Sequence, residues 1–493
     1  MNLWHLLERT ARERGDACAL ALRDGPVDYR ELYRRAAGLA RALRERGIGS
    51  GDVVSIWSEN SPEYLAAYFA AAGVGALLNP LNTRLAAPEV RAIRADCESA
   101  LLLTGTETPG AEFGFDDRLA LAEVEPADDL DGVAEVSRGD PAQLYYTSGT
   151  TGRPKGVVLT HGNVASHAEM VVDELQLAPS DVWGHFAPMF HLADAWACFA
   201  VTAVGAAHAF LPRFEARAAL RCLAEARVTR TNLIPTMLAR VLADETVGEH
   251  DLGSLRMVLS GGAPIAPAVV RRVIEDLGCE YVQTYGLTET SPYLTLSLLH
   301  EHLRELPFEE RLAYQCKTGR PVRGIELEVV DDAGRAVAAD ERSVGEIRVR
   351  GATVSPGYWR QPEATERAWR DGWFHTGDLA VLDGEGYVNI VDRRSDMILT
   401  GGENVYSIEV ENALYEHPAV LEAAAFGRPD EEWGEAVHAA VVRKPGTQVG
   451  EAELRALCRE KMAGYKVPKR IVFLSELPKT GTGKIRKSAL REA

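Results

Sequence analysis

One stretch, Tyr145-Tyr146-Thr147-Ser148-Gly149-Thr150-Thr151-Gly152-Arg153-Pro154-Lys155-Gly156-Val157, gathers three glycines, a run of hydroxyls and a lysine. Such a loop can turn its backbone N–H groups inward beside hydroxyl donors and a cation, which suits a polyphosphate. Its spacing, Gly149-x-x-Gly152-x-x-Lys155-Gly156, is not that of a P-loop, and no G-x-G-x-x-G dinucleotide fingerprint occurs. A lone loop of this composition is ordinarily a surface turn. The length of the string and the segments downstream of it argue against a mere turn here.

Six further segments come after it along the chain. They are Ala187-Pro188-Met189-Phe190-His191, Ser260-Gly261-Gly262-Ala263-Pro264, Gln283-Thr284-Tyr285-Gly286-Leu287-Thr288-Glu289-Thr290 and Phe374-His375-Thr376-Gly377-Asp378-Leu379. Then come Asp392-Arg393-Arg394-Ser395-Asp396 with Gly401-Gly402-Glu403-Asn404, and Pro478-Lys479-Thr480-Gly481-Thr482-Gly483-Lys484-Ile485. With the glycine-rich loop, this ordered set resembles the adenylate-forming superfamily of acyl- and aryl-CoA synthetases, nonribosomal peptide synthetase adenylation domains and beetle luciferases. The resemblance covers essentially the whole chain.

The resemblance implies ATP, Mg²⁺ and CoA as reactants and a carboxylate that attacks the α-phosphate of ATP. Two anions must then approach each other, so catalysis is mostly charge neutralisation and positioning. It implies that Thr147, Ser148, Gly149, Thr150, Thr151 and Gly152 cradle the β- and γ-phosphates, with Lys155 adding positive charge. Thr288 matches the α-phosphate contact. Glu289, with Thr150, matches the Mg²⁺ position, suited to a hard cation shared between one carboxylate and phosphate oxygens. Tyr285, Gly286, Gly262 and Ala263 match the adenine slot. Asp378 and Arg393 match the ribose contacts, two carboxylate oxygens being able to accept from two hydroxyls. Lys484 matches the catalytic lysine that bridges the substrate carboxylate and the α-phosphate. Gly401 and Gly402 match the segment that lines the pantetheine tunnel after a rotation of the C-terminal domain. The pivot position, usually Asp or Lys in relatives, is Ser395 here. Arg443, Lys444 and Lys466 are candidate contacts for the CoA phosphates.

For the acid, His191 replaces the aspartate that pairs with the ammonium of α-amino acids in relatives that select them. The expected wall is largely apolar: His191, Trp196, Asn232, Ile234, Pro235, Gly262, Tyr285, Gly286 and Leu287. Such a wall suits a fatty or aromatic monocarboxylic acid. Asp194 is a charge in an apolar segment, either paired structurally or facing a polar substituent such as an amine. The expected activity is an ATP-dependent acid:CoA ligase. Alternatives keep the adenylate but change the acceptor to a carrier protein, an amine or O₂, or activate another oxyanion such as nitrite for diazotisation of an aryl amine. A non-catalytic nucleotide-binding module should have lost Lys484, Glu289 or the loop hydroxyls, and all are present. With no carrier-protein segment evident, a standalone enzyme is expected, as monomer or homodimer.

Positioning these residues requires an α/β scaffold. Helix and strand patterns alternate: Tyr29 to Arg46 then Val53–Trp57, Ala218–Glu225 then Arg230–Ile234, Val269–Leu277 then Glu280–Gln283. From about Gly319 the texture turns β-rich, with Ile325–Val330, Gly345–Val349 and Gly386–Val391 separated by Asp/Gly turns. Beyond Asp396, helices Ser407–Tyr415 and Glu451–Lys461 mix with strands Val437–Arg443 and Ile471–Leu474. The expected architecture is α/β: a large N-terminal domain over 1–392, made of two αβ-layered sheet subdomains and a β-rich subdomain (about 319–392). A hinge at 393–395 then leads to a small mobile α+β domain over 396–493.

The 493 residues, 46% hydrophobic and 26% charged, suit a globular chain of more than one domain and not a disordered one. A net charge of -18 disfavours nucleic-acid and anionic-membrane partners, which need a broad positive field. Seven scattered cysteines without a C-x-x-C pair suit free thiols in a reducing cytoplasm. The N-terminus has no basic region followed by an apolar core, so no signal peptide is expected. The uncharged run Tyr64 to Leu81 reads as a buried helix followed by a strand, since Gly73, Gly75 and Asn79-Pro80 interrupt it.

Overall fold

The computed structural model describes residues 2–106, 111–147, 154–263, 265–479 and 485–492. The chain packs as two compact units, one running to Glu326 and including Val349–Phe374, the other made of Leu327–Arg348 and the residues from His375 onward. This division reflects packing, whereas a pivot at 393–395 would be a property of motion.

Among the described residues the first unit carries two large sheets. One has strands in the order Arg320–Pro321, Tyr293–Leu296, Glu280–Gly286, Met257–Gly261, Arg230–Asn232, Val182–His185, Ala207–Phe210, Cys18–Leu20, Val27–Asp28. The strands from Glu280–Gly286 to Ala207–Phe210 are mutually parallel. The other sheet runs Gly357–Tyr358, Lys155–Thr160, Pro141–Thr147, Leu77–Pro80, Val53–Trp57, Leu101–Thr104, Arg118–Ala120. Apolar residues of both sheets and of the helices Trp4–Arg14, Tyr29–Glu45, Pro62–Val74 and His161–Glu174 share one core. This is the mixed α/β architecture expected.

The apolar run resolves as helix Pro62–Val74 followed by strand Leu77–Pro80. The Ser61 hydroxyl accepts from the Tyr64 N–H at 3.1 Å, Pro62 opens the helix, and Gly75 at φ +78° ends it. Among the described residues no helix is long and apolar enough to cross a membrane. The strand expected to reach Ile234 stops at Asn232, because Ile234 is already the extended N-cap of helix Pro235–Ala243 with proline at its first position.

In the second unit, Val388–Arg393 pairs antiparallel with Trp373–Leu382. A further sheet runs Glu403–Val405, Ile398–Thr400, Gly434–Arg443, Val420–Asp430, with Arg470–Phe473 added parallel to Gly434–Arg443. Helices Ser407–Tyr415 and Glu451–Lys461 cover its core, with the bounds expected from sequence.

Candidate functional site

In a parallel sheet the strand ends that point one way also collect on one edge, and ligands bind outside the carboxyl ends. The residues expected to meet adenine, the α-phosphate and the acid all lie at or beyond carboxyl ends of neighbouring strands. His191 lies beyond Val182–His185, Asn232 ends Arg230–Asn232, Gly262 and Ala263 come after Met257–Gly261, and Tyr285 to Glu289 end or extend Glu280–Gly286. Topology thus gathers at one sheet edge residues that are up to about a hundred positions apart.

Gly262 is exposed at φ +82° with nothing within 4 Å of where a Cβ would stand. Gly286 is the opposite case: a Cβ there would lie 1.7 Å from the Pro292 carbonyl oxygen. It permits a close backbone crossing between Tyr285, half-buried and opposite Thr295, and Thr288, which opens a short 3₁₀ turn through Thr290. Glu289 is 8% exposed. The Tyr358 hydroxyl donates to its Oε1 at 2.9 Å, and the Lys155 ammonium stands 4.8 Å from the centroid of the Tyr358 ring. Burial and the adjacent carboxylate push the Tyr358 phenol pKa well up, so it remains a donor. The strand pairing Tyr358 with Val157 and Thr147 with Lys155 holds these groups together. Thr147 Oγ1 donates to the Lys155 carbonyl at 3.4 Å. Ser148, Gly149, Thr150, Thr151, Gly152 and Lys484 lie outside the described residues. A buried carboxylate that accepts from a phenol, whose ring lies beside a lysine, fits a hard cation held mainly by phosphate oxygens.

In the segment expected to border the acid, the turn Leu192–Ala195 has His191 as its N-cap, with Nδ1 accepting from the Ala193 N–H at 3.1 Å. Asn232 is 2% exposed; its Nδ2 donates to the Ala193 carbonyl at 2.8 Å, while its Oδ1 has no partner among the described residues. Trp196, expected in the wall, is 2% exposed and packs edge-on against Trp183 and Tyr293, its Nε1 donating to the Ala193 carbonyl and the Tyr293 hydroxyl at 2.9 Å each. It therefore backs the wall. Asp194 is paired structurally: Oδ1 accepts from Trp183 Nε1 at 3.3 Å and Oδ2 meets His185 Nδ1 at 2.7 Å.

In the second unit, Asp378 (4% exposed) stands directly opposite Arg393 in the strand pairing, and the guanidinium reaches its Oδ1 at 3.3 Å. Gly377, at φ +74°, supplies the left-handed residue before Asp378. Gly401 and Gly402, at φ +58° and +83°, form the two-residue turn between Ile398–Thr400 and Glu403–Val405, a geometry that glycine pairs favour. A Cβ on Gly401 would meet the Trp433 ring at 2.7 Å. The Arg491 side chain donates to the Ser395 carbonyl at 3.1 Å and pairs with Asp396 at 2.7 Å. Of the cations offered for CoA phosphates, Lys466 is held by both oxygens of Glu409 at 2.8 Å. Arg443 donates to the Val449 carbonyl and covers the Phe473 ring at 3.5 Å. Lys444 is exposed.

Sequence reasoning did not find Tyr358, nor Asn60, whose amide binds the His185 and Ala187 carbonyls and accepts from the Met189 N–H. Gly357-Tyr358-Trp359 carries no spacing signal that ties it to Glu289; only strand pairing does.

The AMP-binding enzyme family matches residues 7–359, and the AMP-binding enzyme C-terminal domain matches 409–484. Feruloyl-CoA synthase of an Amycolatopsis species is 39% identical over 488 residues, 97% of each chain. The long-chain-fatty-acid–CoA ligase of Thermus thermophilus is 37% identical, over 100% of this chain and 95% of its own. Among solved structures, o-succinylbenzoate CoA synthetase of Bacillus subtilis with its acyl-adenylate superposes with a TM-score of 0.90 at 31% identity, covering 100% of this chain and 98% of that one. The same synthetase is also known with ATP and magnesium ion.

Proposed function

The chain belongs to the AMP-binding enzyme family and is an ATP-dependent, AMP-forming acid:CoA ligase, and from that premise we propose that its acid is an aromatic monocarboxylic acid bearing a hydrogen-bond donor on the ring. The observation that carries this is the Asn232 Oδ1, buried and unpartnered beside the Ala193 carbonyl that occupies its Nδ2. A buried acceptor left unmet costs about 1–3 kcal/mol, and a ring hydroxyl or amino group would satisfy it. A fatty acid is the second reading, supported by the half-buried apolar Ile234, Pro235 and Leu287 and by the 37% identical fatty-acid ligase.

In this reading the acid enters against His191 and Asn232, and Tyr285, Gly286, Gly262 and Ala263 bound the adenine. Thr147, Ser148, Gly149, Thr150, Thr151, Gly152 and Lys155 hold the β- and γ-phosphates, and Thr288 steadies the α-phosphate. Asp378, already aligned by Arg393, accepts from the ribose hydroxyls. Glu289 and Thr150 would hold Mg²⁺, which supplies charge neutralisation on the phosphate oxygens. The carboxylate attacks the α-phosphate, pyrophosphate leaves, and Lys484 balances the charge developing between the two anions. Rotation of residues 396–493 about 393–395 relative to 1–392 then exchanges Lys484 for the turn Gly401-Gly402, where the open space beside Gly402 leaves room for pantetheine, and the CoA thiol displaces AMP.

ATP–pyrophosphate exchange over ferulate, indoleacetate, anthranilate and C8–C16 fatty acids, followed by mass spectrometry with CoA, tests the reading. Ring-substituted aryl acids should give the highest kcat/KM, and Asn232→Leu should remove the preference for a hydroxylated over an unsubstituted ring. A panel led by fatty acids, with Asn232→Leu neutral, overturns the aryl assignment.

A further inference from the structure

The loop 186–193 leaves one strand end and returns to the turn Leu192–Ala195, and its two flanks are tied through a buried polar chain. His185 Nδ1 meets Asp194 Oδ2 at 2.7 Å, His185 Nε2 meets His208 Nδ1 at 2.9 Å, and His208 Nε2 meets Thr202 Oγ1 at 3.1 Å. The four side chains are 0% exposed. The two imidazoles stack at 5.2 Å and 11°, and Phe210 stacks on His185 at 4.9 Å. Trp183 Nε1, which can only donate, occupies the other Asp194 oxygen.

The hydrogen-bond directions close consistently. Burial keeps the His208 pKa well below its ordinary value, so this ring is neutral and has one donor and one acceptor nitrogen. Thr202 O–H to His208 Nε2, His208 Nδ1–H to His185 Nε2 and His185 Nδ1–H to Asp194 then satisfy every nitrogen in the chain. A core position needs no such chain for packing alone, since an apolar residue would fill the space without desolvating a carboxyl and two imidazoles. What the chain does is tie a loop: Asn60 and the Tyr68 hydroxyl pin its first half at Ala187 and Met189, and Asp194 pins its second half one helical turn after His191.

We propose that the His185–Asp194 pair, backed by His208 and Thr202, is a positioning clasp that sets the loop presenting His191 to the acid and thereby tunes acid binding without touching ATP. It rests on the proposal that His191 borders the acid. Asp194, His185 and His208 are positioning residues, not catalytic ones.

The test measures KM for acid and for ATP separately by pyrophosphate exchange, with the panel acid that gives the fastest exchange, in Asp194→Ala, Asp194→Asn and His208→Gln. Loss of a loop's placement by about 1 Å costs on the order of 10²-fold in positioning. Asp194→Ala should therefore raise the acid KM at least about tenfold with the ATP KM within about twofold. Asp194→Asn, which keeps an acceptor for one of the two donors, should recover part of the loss. His208→Gln gives the same split should Asp194→Ala not fold. Acid and ATP KM values both unchanged, with only the denaturation midpoint lowered, overturn the clasp and leave a purely structural pair. His191→Ala with an unchanged acid KM overturns instead the placement of the acid at His191, whatever the Asp194 variants do.

Discussion

Replacing Gly286 by alanine tests the crossing between Tyr285 and Thr288, the proposed adenine and α-phosphate contacts. The added Cβ would stand 1.7 Å from the Pro292 oxygen and 2.7 Å from its carbonyl carbon, both backbone atoms, where real Cβ contacts stay beyond 3.0 Å. No side chain can rotate away, so strands Glu280–Gly286 and Tyr293–Leu296 must part by about 1.3 Å, the shortfall against that limit. Overpacking of this kind costs about 1–3 kcal/mol of stability. The functional effect should be larger, because Tyr285 and Thr288 flank the displaced residue and a misplacement of about 1 Å costs on the order of 10²-fold. Pyrophosphate exchange in Gly286→Ala should therefore fall about 100-fold with the fold retained by circular dichroism. Gly278→Ala is the control: φ is +66° but no atom lies within 4 Å, so only left-handed strain of about 1–2 kcal/mol is added and no strand moves. Exchange within threefold of wild type in Gly286→Ala, or an equal loss in both variants, rules out a steric role for this glycine.

Tyr358→Phe removes the hydroxyl on Glu289 while keeping the ring beneath Lys155. A hydrogen bond to a charged group contributes about 1.5–3 kcal/mol, so the denaturation midpoint should drop and the Mg²⁺ concentration for half-maximal exchange should rise; no change in either titration counts against an oriented Glu289. Lys484→Ala should abolish adenylation and leave thioester formation from preformed acyl-AMP largely intact, which rapid-quench assays of the two half-reactions resolve; equal loss of both refutes a lysine specific to the first step. Burial lowers the His167 pKa to about 3 and that of His161 to about 4, from 6.5. The unfolded chain then binds more protons below about pH 6.5, so stability present above that pH is lost as pH falls toward 4, by up to about 1.4 kcal/mol per pH unit for each histidine. Urea midpoints flat from pH 7 to 4.5 would contradict that burial.

Local pattern was sufficient for most elements and for the family. Val53–Trp57, Ser407–Tyr415 and Glu451–Lys461 carry the bounds their periodicity predicts, because amphipathic spacing and caps act over a few residues. The ordered motifs from Thr147 to Lys484 identified the family, since their chemistry depends on residue type in short strings. Other roles depended on which strands become neighbours. Asp194 reads from sequence as a structural charge or a contact for a polar substituent, and the choice is made when Val182–His185 and Ala207–Phe210 pair in parallel and put His185 and His208 in line. Tyr358 becomes a partner of Glu289 only through its pairing with Val157. The close approach of Gly286 to Pro292, which by itself requires a glycine there, exists only once strands Glu280–Gly286 and Tyr293–Leu296 pair. Residue types and their local spacing are written along the chain, but a hydrogen bond or a steric limit between distant residues exists only once the register of the sheet brings the atoms together.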